Sequence, residues 1–267
     1  MGELVFVGVG LHDELGISLR GLEALRAAPK AFAEEYTAGL APGWQSRLSS
    51  LSGTPIETLS REEVEGETRI LQALATERTV VFLVPGDAFA ATTHLSLRLA
   101  AEKAGHSTRV VHGASIITAA PGLVGLFQYK FGRVVSLPYP EEGSPYRPVS
   151  PYRALQANDA AGMHSLILLD LDPRAGRFLT ADVALRHLGR LEEELHEGVA
   201  PADREFAVVA RAGGPDVGVW VGTRAQLEHR EFGPPLHSLI LPAPASSRHF
   251  MEEEALAELR KRISEKV

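Results

Sequence analysis

Thr79-Val80-Val81-Phe82-Leu83-Val84-Pro85-Gly86-Asp87-Ala88-Phe89-Ala90-Ala91-Thr92-Thr93-His94 is the stretch that decides the fold. It opens on an apolar run, 79–84, with the length and β-branched content of a buried strand. Pro85-Gly86-Asp87 then forces a sharp turn, and a helix is expected over about 92–104, stopped by Gly105. In open parallel sheets, ligands bind outside the carboxyl ends of the strands. A second strand end of this kind lies at the N-terminus, where Leu4-Val5-Phe6-Val7 runs into Gly8-Val9-Gly10-Leu11. Two glycine-bearing turns at strand ends argue for a small-molecule site.

Working outward, strands and helices alternate through the first half. A strand at 4–7 is followed by a helix over about 18–28, with Leu19, Leu22 and Leu25 on one face and Pro29 as its stop. Ala31-Phe32-Ala33 is a short strand, 62–78 reads as one helix, and Arg109-Val110-Val111 is a further strand. This alternation implies a mainly parallel sheet. His112-Gly113-Ala114-Ser115 reads as a hinge, with Ser115 as a helix N-cap before Ile116. The second half carries strands near 134–137, 165–170, 205–211, 217–221 and 238–241, and a helix from Thr180 striped with Ala184, Leu188, Leu191 and Leu195. No crossover helix fits between 205–211 and 217–221, so that pair is antiparallel and the second sheet is mixed. The expected class is α/β, with two αβα domains over 1–112 and 113–267. A Pro-, Gly-, Ser- and Tyr-rich loop at 138–151 has the length of a lid, a binding loop or a mobile segment. In the C-terminal helix, Glu252, Glu253 and Glu254 precede Arg260, Lys261 and Arg262, an order that complements the helix dipole.

With 267 residues, 45% of them hydrophobic, the chain can bury a sizeable core. Its net charge of −7 disfavours nucleic acid as the main partner. The absence of cysteine excludes disulfides, thiolate catalysis and Cys-ligated metal centres. Met1-Gly2-Glu3 lacks the basic start of a signal peptide, and no apolar run has the length of a membrane span. A soluble, cytoplasmic protein is expected.

Other motifs narrow the chemistry. Gly8-Val9-Gly10 starts like a dinucleotide fingerprint but lacks its third glycine, and no phosphate-binding Gly-Lys-Ser/Thr follows a glycine loop. Gly-x-Ser-x-Gly is absent. The ten histidines show no metal-ligand spacing, so no metal is expected. Asp87 either meets a ligand or caps its own turn. His94 and His237 stand beside candidate turns and read as structural histidines unless context says otherwise. Glu34-Glu35-Tyr36 is either a substrate-orienting group or a solvated surface pair. Arg211-Ala212-Gly213-Gly214 and Pro234-Pro235-Leu236-His237 are plain turns or sites of close ligand approach.

Taken in order, Gly8-Val9-Gly10-Leu11, Phe32-Ala33-Glu34-Glu35-Tyr36-Thr37, Pro85-Gly86-Asp87 with Ala91-Thr92-Thr93-His94, and His112-Gly113-Ala114-Ser115-Ile116 resemble the diphthine synthase family. Tyr129-Lys130-Phe131-Gly132, Leu168-Leu169-Asp170, Ala210-Arg211-Ala212-Gly213 and Phe232-Gly233-Pro234-Pro235-Leu236-His237 extend the resemblance over nearly the whole chain. It implies a tetrapyrrole-methylase-type methyltransferase that uses S-adenosylmethionine, bound in a cleft between two α/β domains, and a homodimer. The implied cofactor contacts are Leu11 after the first glycine turn, Asp87 and Ala90 in the Pro-Gly-Asp loop, Ser115 and Ile116 at the hinge, and Leu169, Ala212 and His237 from the second domain. The family often carries Val where Ala90 stands and Pro where Ala88 stands. The 138–151 loop is richer in proline than the Gly-Asn-Trp loop of its relatives. The implied reaction is trimethylation of the amino group of a modified histidine on translation elongation factor 2, in diphthamide synthesis. No residue is secured as general base; His94 and Glu35 are the candidates. The rival readings are a precorrin-type tetrapyrrole methyltransferase and a non-enzymatic protein that docks on the elongation factor.

Overall fold

The computed structural model describes residues 1–140, 149–173 and 175–264. The chain divides into two compact units, Met1–Ile116 with Pro173–Ala175, and Ile117–Asp172 with Gly176–Val267. In chain order the elements are β1 (Glu3–Gly10), α1 (Leu19–Ala27), β2 (Lys30–Glu34), α2 (Trp44–Ser52), β3 (Ile56–Leu59), α3 (Arg61–Glu65), α4 (Thr68–Thr76), β4 (Thr79–Pro85), α5 (Leu95–Lys103), β5 (Ser107–Val111), α6 (Ile116–Val124), β6 (Val135–Leu137), α7 (Ser150–Ala160), β7 (Ser165–Leu169), β8 (Leu171–Asp172), β9 (Arg177–Phe178), α8 (Ala181–Leu195), β10 (Glu205–Ala210), β11 (Gly218–Thr223), α9 (Arg224–Leu227), β12 (His237–Leu241) and α10 (Phe250–Ser264).

In the first unit five strands pair in the order β3-β2-β4-β1-β5, all parallel. Both faces are buried, which is why β1 and β4 read as continuous apolar runs. Val5, Val7 and Val9 pack with Leu22, Leu25, Trp44 and Leu48 of α1 and α2. Leu4 and Phe6 face the other way, onto Ile70, Leu74 and Leu97 of α4 and α5. The chain leaves β1 for β2 on one side and leaves β4 for β5 on the other. Adjacent β1 and β4 therefore flank the point where the winding direction reverses, and their carboxyl ends border the crevice where such sheets bind ligands.

The second unit holds a mixed sheet in the order β11-β10-β12-β7-β6. β10 is antiparallel to β11 and β12, β12 is antiparallel to β7, and only β6 and β7 are parallel. One face buries Ile167, Phe206, Val208 and Leu239 against α7 and α8. On β11, α10 packs against the sheet.

Several local expectations are corrected. The 62–78 segment is two helices, because Gly66 and a left-handed Glu67 (φ 59°) separate α3 from α4. Helix α5 starts at Leu95 and not at 92, since 88–94 is consumed by a turn with Ala91 at φ 58°. The 138–151 loop ends in the first turn of α7, with Pro151 early in the helix; its residues 141–148 lie outside the described residues. Strand β10 ends at Ala210, one residue before a left-handed Arg211.

Candidate functional site

At the carboxyl edge of the first sheet, the turns after β1 and β4 are bonded to each other. Gly10 N–H donates to the Gly86 carbonyl (3.1 Å), and Gly86 N–H donates back to Gly10 (2.8 Å). Both glycines are left-handed, at φ 88° and 70°, a conformation that other residues adopt only under strain. The end of β5 closes on the same spot: a Cβ on Gly113 would sit 2.4 Å from the Gly86 carbonyl, and one on Gly8 would sit 2.6 Å from Gly113 N. Three strand ends thus meet backbone to backbone.

This meeting sets the positions of the first group of expected site residues. Leu11 follows Gly10 and is half-buried. Asp87 follows Gly86. Its Oδ1 accepts from Phe89 N–H (3.0 Å), while its Oδ2 accepts from Gly113 N–H (3.2 Å) and from His112 Nδ1 (2.7 Å). The turn-capping role of Asp87 is therefore realised, and it also fastens the β4 turn to the end of β5. Ala90 donates its N–H to the Asp87 carbonyl (3.2 Å) and is half-buried, as are Ser115 and Ile116 at the start of α6.

The remaining three expected residues share one edge of the second sheet. Ala210 pairs with His237, and Ser238 pairs with Leu168. That register aligns Leu169, the turn holding Ala212, and His237. His237 Nε2–H donates to the Pro234 carbonyl (3.1 Å), so Nδ1 carries the lone pair that accepts from Ala181 N–H (3.2 Å). Burial holds its pKa below the usual histidine value. Arg211, left-handed at φ 52°, donates from Nη1 to the carbonyls of Phe232 and Pro234 (2.8 Å each) and pairs with the Asp216 carboxylate (2.6 Å). It holds together the two loops that carry Ala212 and His237.

The two general-base candidates differ. His94 is buried, and burial pushes its pKa down. Its Nδ1–H donates to the Ala88 carbonyl (3.0 Å), and its Nε2 accepts from the Tyr36 hydroxyl (3.3 Å). Glu35 accepts a hydrogen bond from Gln45. Its neighbour Glu34 departs from the surface-pair reading: it is 0% exposed and caps its own turn, accepting from Tyr36 N–H (2.8 Å), Thr37 N–H (3.0 Å) and the Thr37 hydroxyl. Burial raises its pKa despite those bonds. Among the described residues no group of His, Cys, Asp or Glu could hold a metal ion, and no helix is long and apolar enough to cross a membrane.

A polar core in the second unit escaped the sequence reading. Glu252 is 0% exposed and accepts from Phe127 N–H (2.9 Å), His249 N–H (2.8 Å), Lys130 Nζ (2.5 Å) and His164 Nε2 (3.0 Å). The available signal was Lys130 in the Tyr-Lys-Phe-Gly motif. Lys130 is half-buried and pairs with a fully buried acid, but nothing in the sequence says which of Glu252, Glu253 and Glu254 supplies it.

Comparison with known proteins agrees with this architecture. Residues 3–228 match the family of Tetrapyrrole (Corrin/Porphyrin) Methylases. A diphthine synthase of Methanothermobacter thermautotrophicus is 41% identical over 256 residues, covering 96% of this chain and 95% of the relative. One of Methanosarcina mazei is 42% identical over 260 residues, with the same coverage. A solved diphthine synthase structure is 34% identical at a TM-score of 0.86, covering 97% of this chain and 96% of its own. The chain is therefore a methyltransferase that belongs to the tetrapyrrole methylase family, among its diphthine synthases.

Proposed function

We propose that this methyltransferase uses S-adenosylmethionine to trimethylate the amino group of the modified histidine on translation elongation factor 2. The observation that carries the reading is the reciprocal Gly10–Gly86 bridge at the winding reversal of the sheet, in a chain about two-fifths identical along its length to diphthine synthases. Leu11, Asp87, Ala90, Ser115 and Ile116 from the first unit, with Leu169, Ala212 and His237 from the second, are the proposed cofactor contacts. Their chemistry fits such a ligand. S-adenosylmethionine is rich in N–H and O–H donors, and the Asp87 carboxylate has acceptor capacity beyond the three bonds it makes within the protein. The methyl side chains of Ala90 and Ala212 let a ligand approach the backbone. When bound, the cofactor supplies a methyl group already activated on a sulfonium.

The protein's task is then positioning. It must bring an uncharged amine in line with the methyl group, and alignment alone can supply much of the rate. The proposed setting is a cytoplasmic homodimer. The test is calorimetric titration of the purified protein with S-adenosylhomocysteine. Saturable binding at one site per chain is expected; a flat titration overturns the proposal.

A further inference from the structure

Tyr36, in the Glu-Glu-Tyr-Thr segment after β2, has no part in the contacts proposed for the cofactor. Its hydroxyl bond to His94 nevertheless leads straight to the segment that contains Asp87. The hydroxyl donates to His94 Nε2 (3.3 Å), and His94 Nδ1–H donates to the carbonyl of Ala88, the residue after Asp87 (3.0 Å). A carbonyl can only accept, so Nδ1 carries the hydrogen, and in the neutral ring that burial favours Nε2 carries the lone pair. The direction of the whole chain of bonds is thereby fixed. The ring of Tyr36 is fixed as well, with the Arg61 guanidinium 5.2 Å above its face and the His94 ring steeply inclined to it, centroid to centroid 6.2 Å. Tyr36 is half-buried at the carboxyl edge of the sheet, and among the described residues nothing donates a hydrogen bond to its oxygen.

We infer that the Tyr36 oxygen accepts a hydrogen bond from the substrate amine during methyl transfer, with His94 as the positioning residue that makes it an acceptor. This rests on the reading of the protein as an amine methyltransferase. A free phenol would donate to the amine's lone pair and mask the electrons that must attack. Because its proton is committed to His94, the Tyr36 oxygen offers only lone pairs. It takes an N–H of the amine and leaves the nitrogen's lone pair aimed elsewhere. In the reaction that lone pair forms the new N–C bond, the donor's C–S bond breaks with its electrons remaining on sulfur, and the resulting ammonium later loses a proton to water. Positive charge grows on nitrogen as the bond forms, so the N–H···O bond to Tyr36 strengthens toward the transition state. Only interactions that strengthen there accelerate the step. Burial raises the pKa of the Tyr36 hydroxyl and lowers that of His94, which keeps both groups in the protonation states this arrangement needs.

The inference separates the successive transfers. A primary amine and a monomethyl amine each have an N–H for Tyr36, whereas a dimethyl amine has none. Tyr36→Phe removes the oxygen and keeps the ring. His94→Asn keeps an N–H for the Ala88 carbonyl and removes the acceptor that holds the Tyr36 proton. The experiment follows elongation factor 2 carrying the unmethylated intermediate, by intact mass spectrometry under excess S-adenosylmethionine, with S-adenosylhomocysteine affinity measured in parallel. Both variants are expected to slow the first and second transfers about tenfold or more, the loss typical of a hydrogen bond to a charging group. The third transfer and the S-adenosylhomocysteine affinity should stay at wild-type values. Equal slowing of all three transfers, or slowing of none, overturns the inference. A wild-type protein that binds S-adenosylhomocysteine but leaves the intermediate unmethylated overturns instead the function on which it rests.

Discussion

Asp87 builds the turn after β4 and is also one of the proposed cofactor contacts. Three of its hydrogen bonds stay within the protein, fixing its own turn and the end of β5. Asp87→Ala is expected to weaken S-adenosylhomocysteine binding by at least about tenfold, or roughly 1.4 kcal/mol, measured by calorimetry. Unchanged affinity would leave Asp87 as a former of its turn alone. Gly113 tests the same junction from the other side. A methyl group there would sit 2.4 Å from the Gly86 carbonyl, well inside contact distance. Gly113→Ala should therefore destabilise the protein by about 1–3 kcal/mol through overpacking, read from the urea midpoint. A wild-type midpoint would show that the three strand ends are not in close contact.

At the scale of elements, α10 is joined to the rest of its unit by Glu252. Removing the charge from a buried, fully bonded carboxylate leaves its cationic partner uncompensated. Glu252→Gln is expected to cost about 3 kcal/mol in chemical denaturation, and a loss below about 0.5 kcal/mol would contradict the role assigned to it. The sequence announced the buried strands because β1 and β4 are apolar on both faces, and it announced α8 because its apolar stripe repeats at helical spacing. It did not announce α2, whose Ser-rich surface buries only Trp44 and Leu48, nor β3, an edge strand with Leu59 alone buried. The start of α3 was written in Ser60-x-x-Glu63, a capping box, and the break after it in Gly66. The site divided along the same line. Glycine turns at strand ends were legible because backbone geometry demands those residues. The Tyr36–His94–Ala88 chain and the Lys130–Glu252–His164 cluster were not, because each joins residues far apart in sequence by a hydrogen bond that leaves no local pattern.

For the whole molecule, buried histidines set the response to acid. Burial lowers the pKa of His94, His164 and His237 below the ordinary 6.5. Each is favoured neutral in the folded protein, so each contributes stability that is present above about pH 6.5 and lost as pH falls through its lowered folded value. Glu252 extends the decline. Burial alone would raise its pKa, but the bonds from Lys130, His249, Phe127 and His164 outweigh burial and hold it at about 2, against 4.5 when unperturbed. Its contribution is complete above 4.5 and disappears between there and about 2. Urea midpoints should thus fall in two stages, first below about pH 6.5 and again below about 4.5. A midpoint flat from pH 7 to 4 would contradict this assignment of buried, neutral histidines.

In the proposed function, methyl groups pass from S-adenosylmethionine to the amine of the modified histidine on elongation factor 2. Mass spectrometry of that factor, bearing the unmethylated intermediate and incubated with the protein and S-adenosylmethionine, tests it most directly. Successive gains of one methyl mass, up to three, all on a single histidine, are expected. A factor whose mass is unchanged, or whose added methyl groups lie on any other residue, would contradict that function.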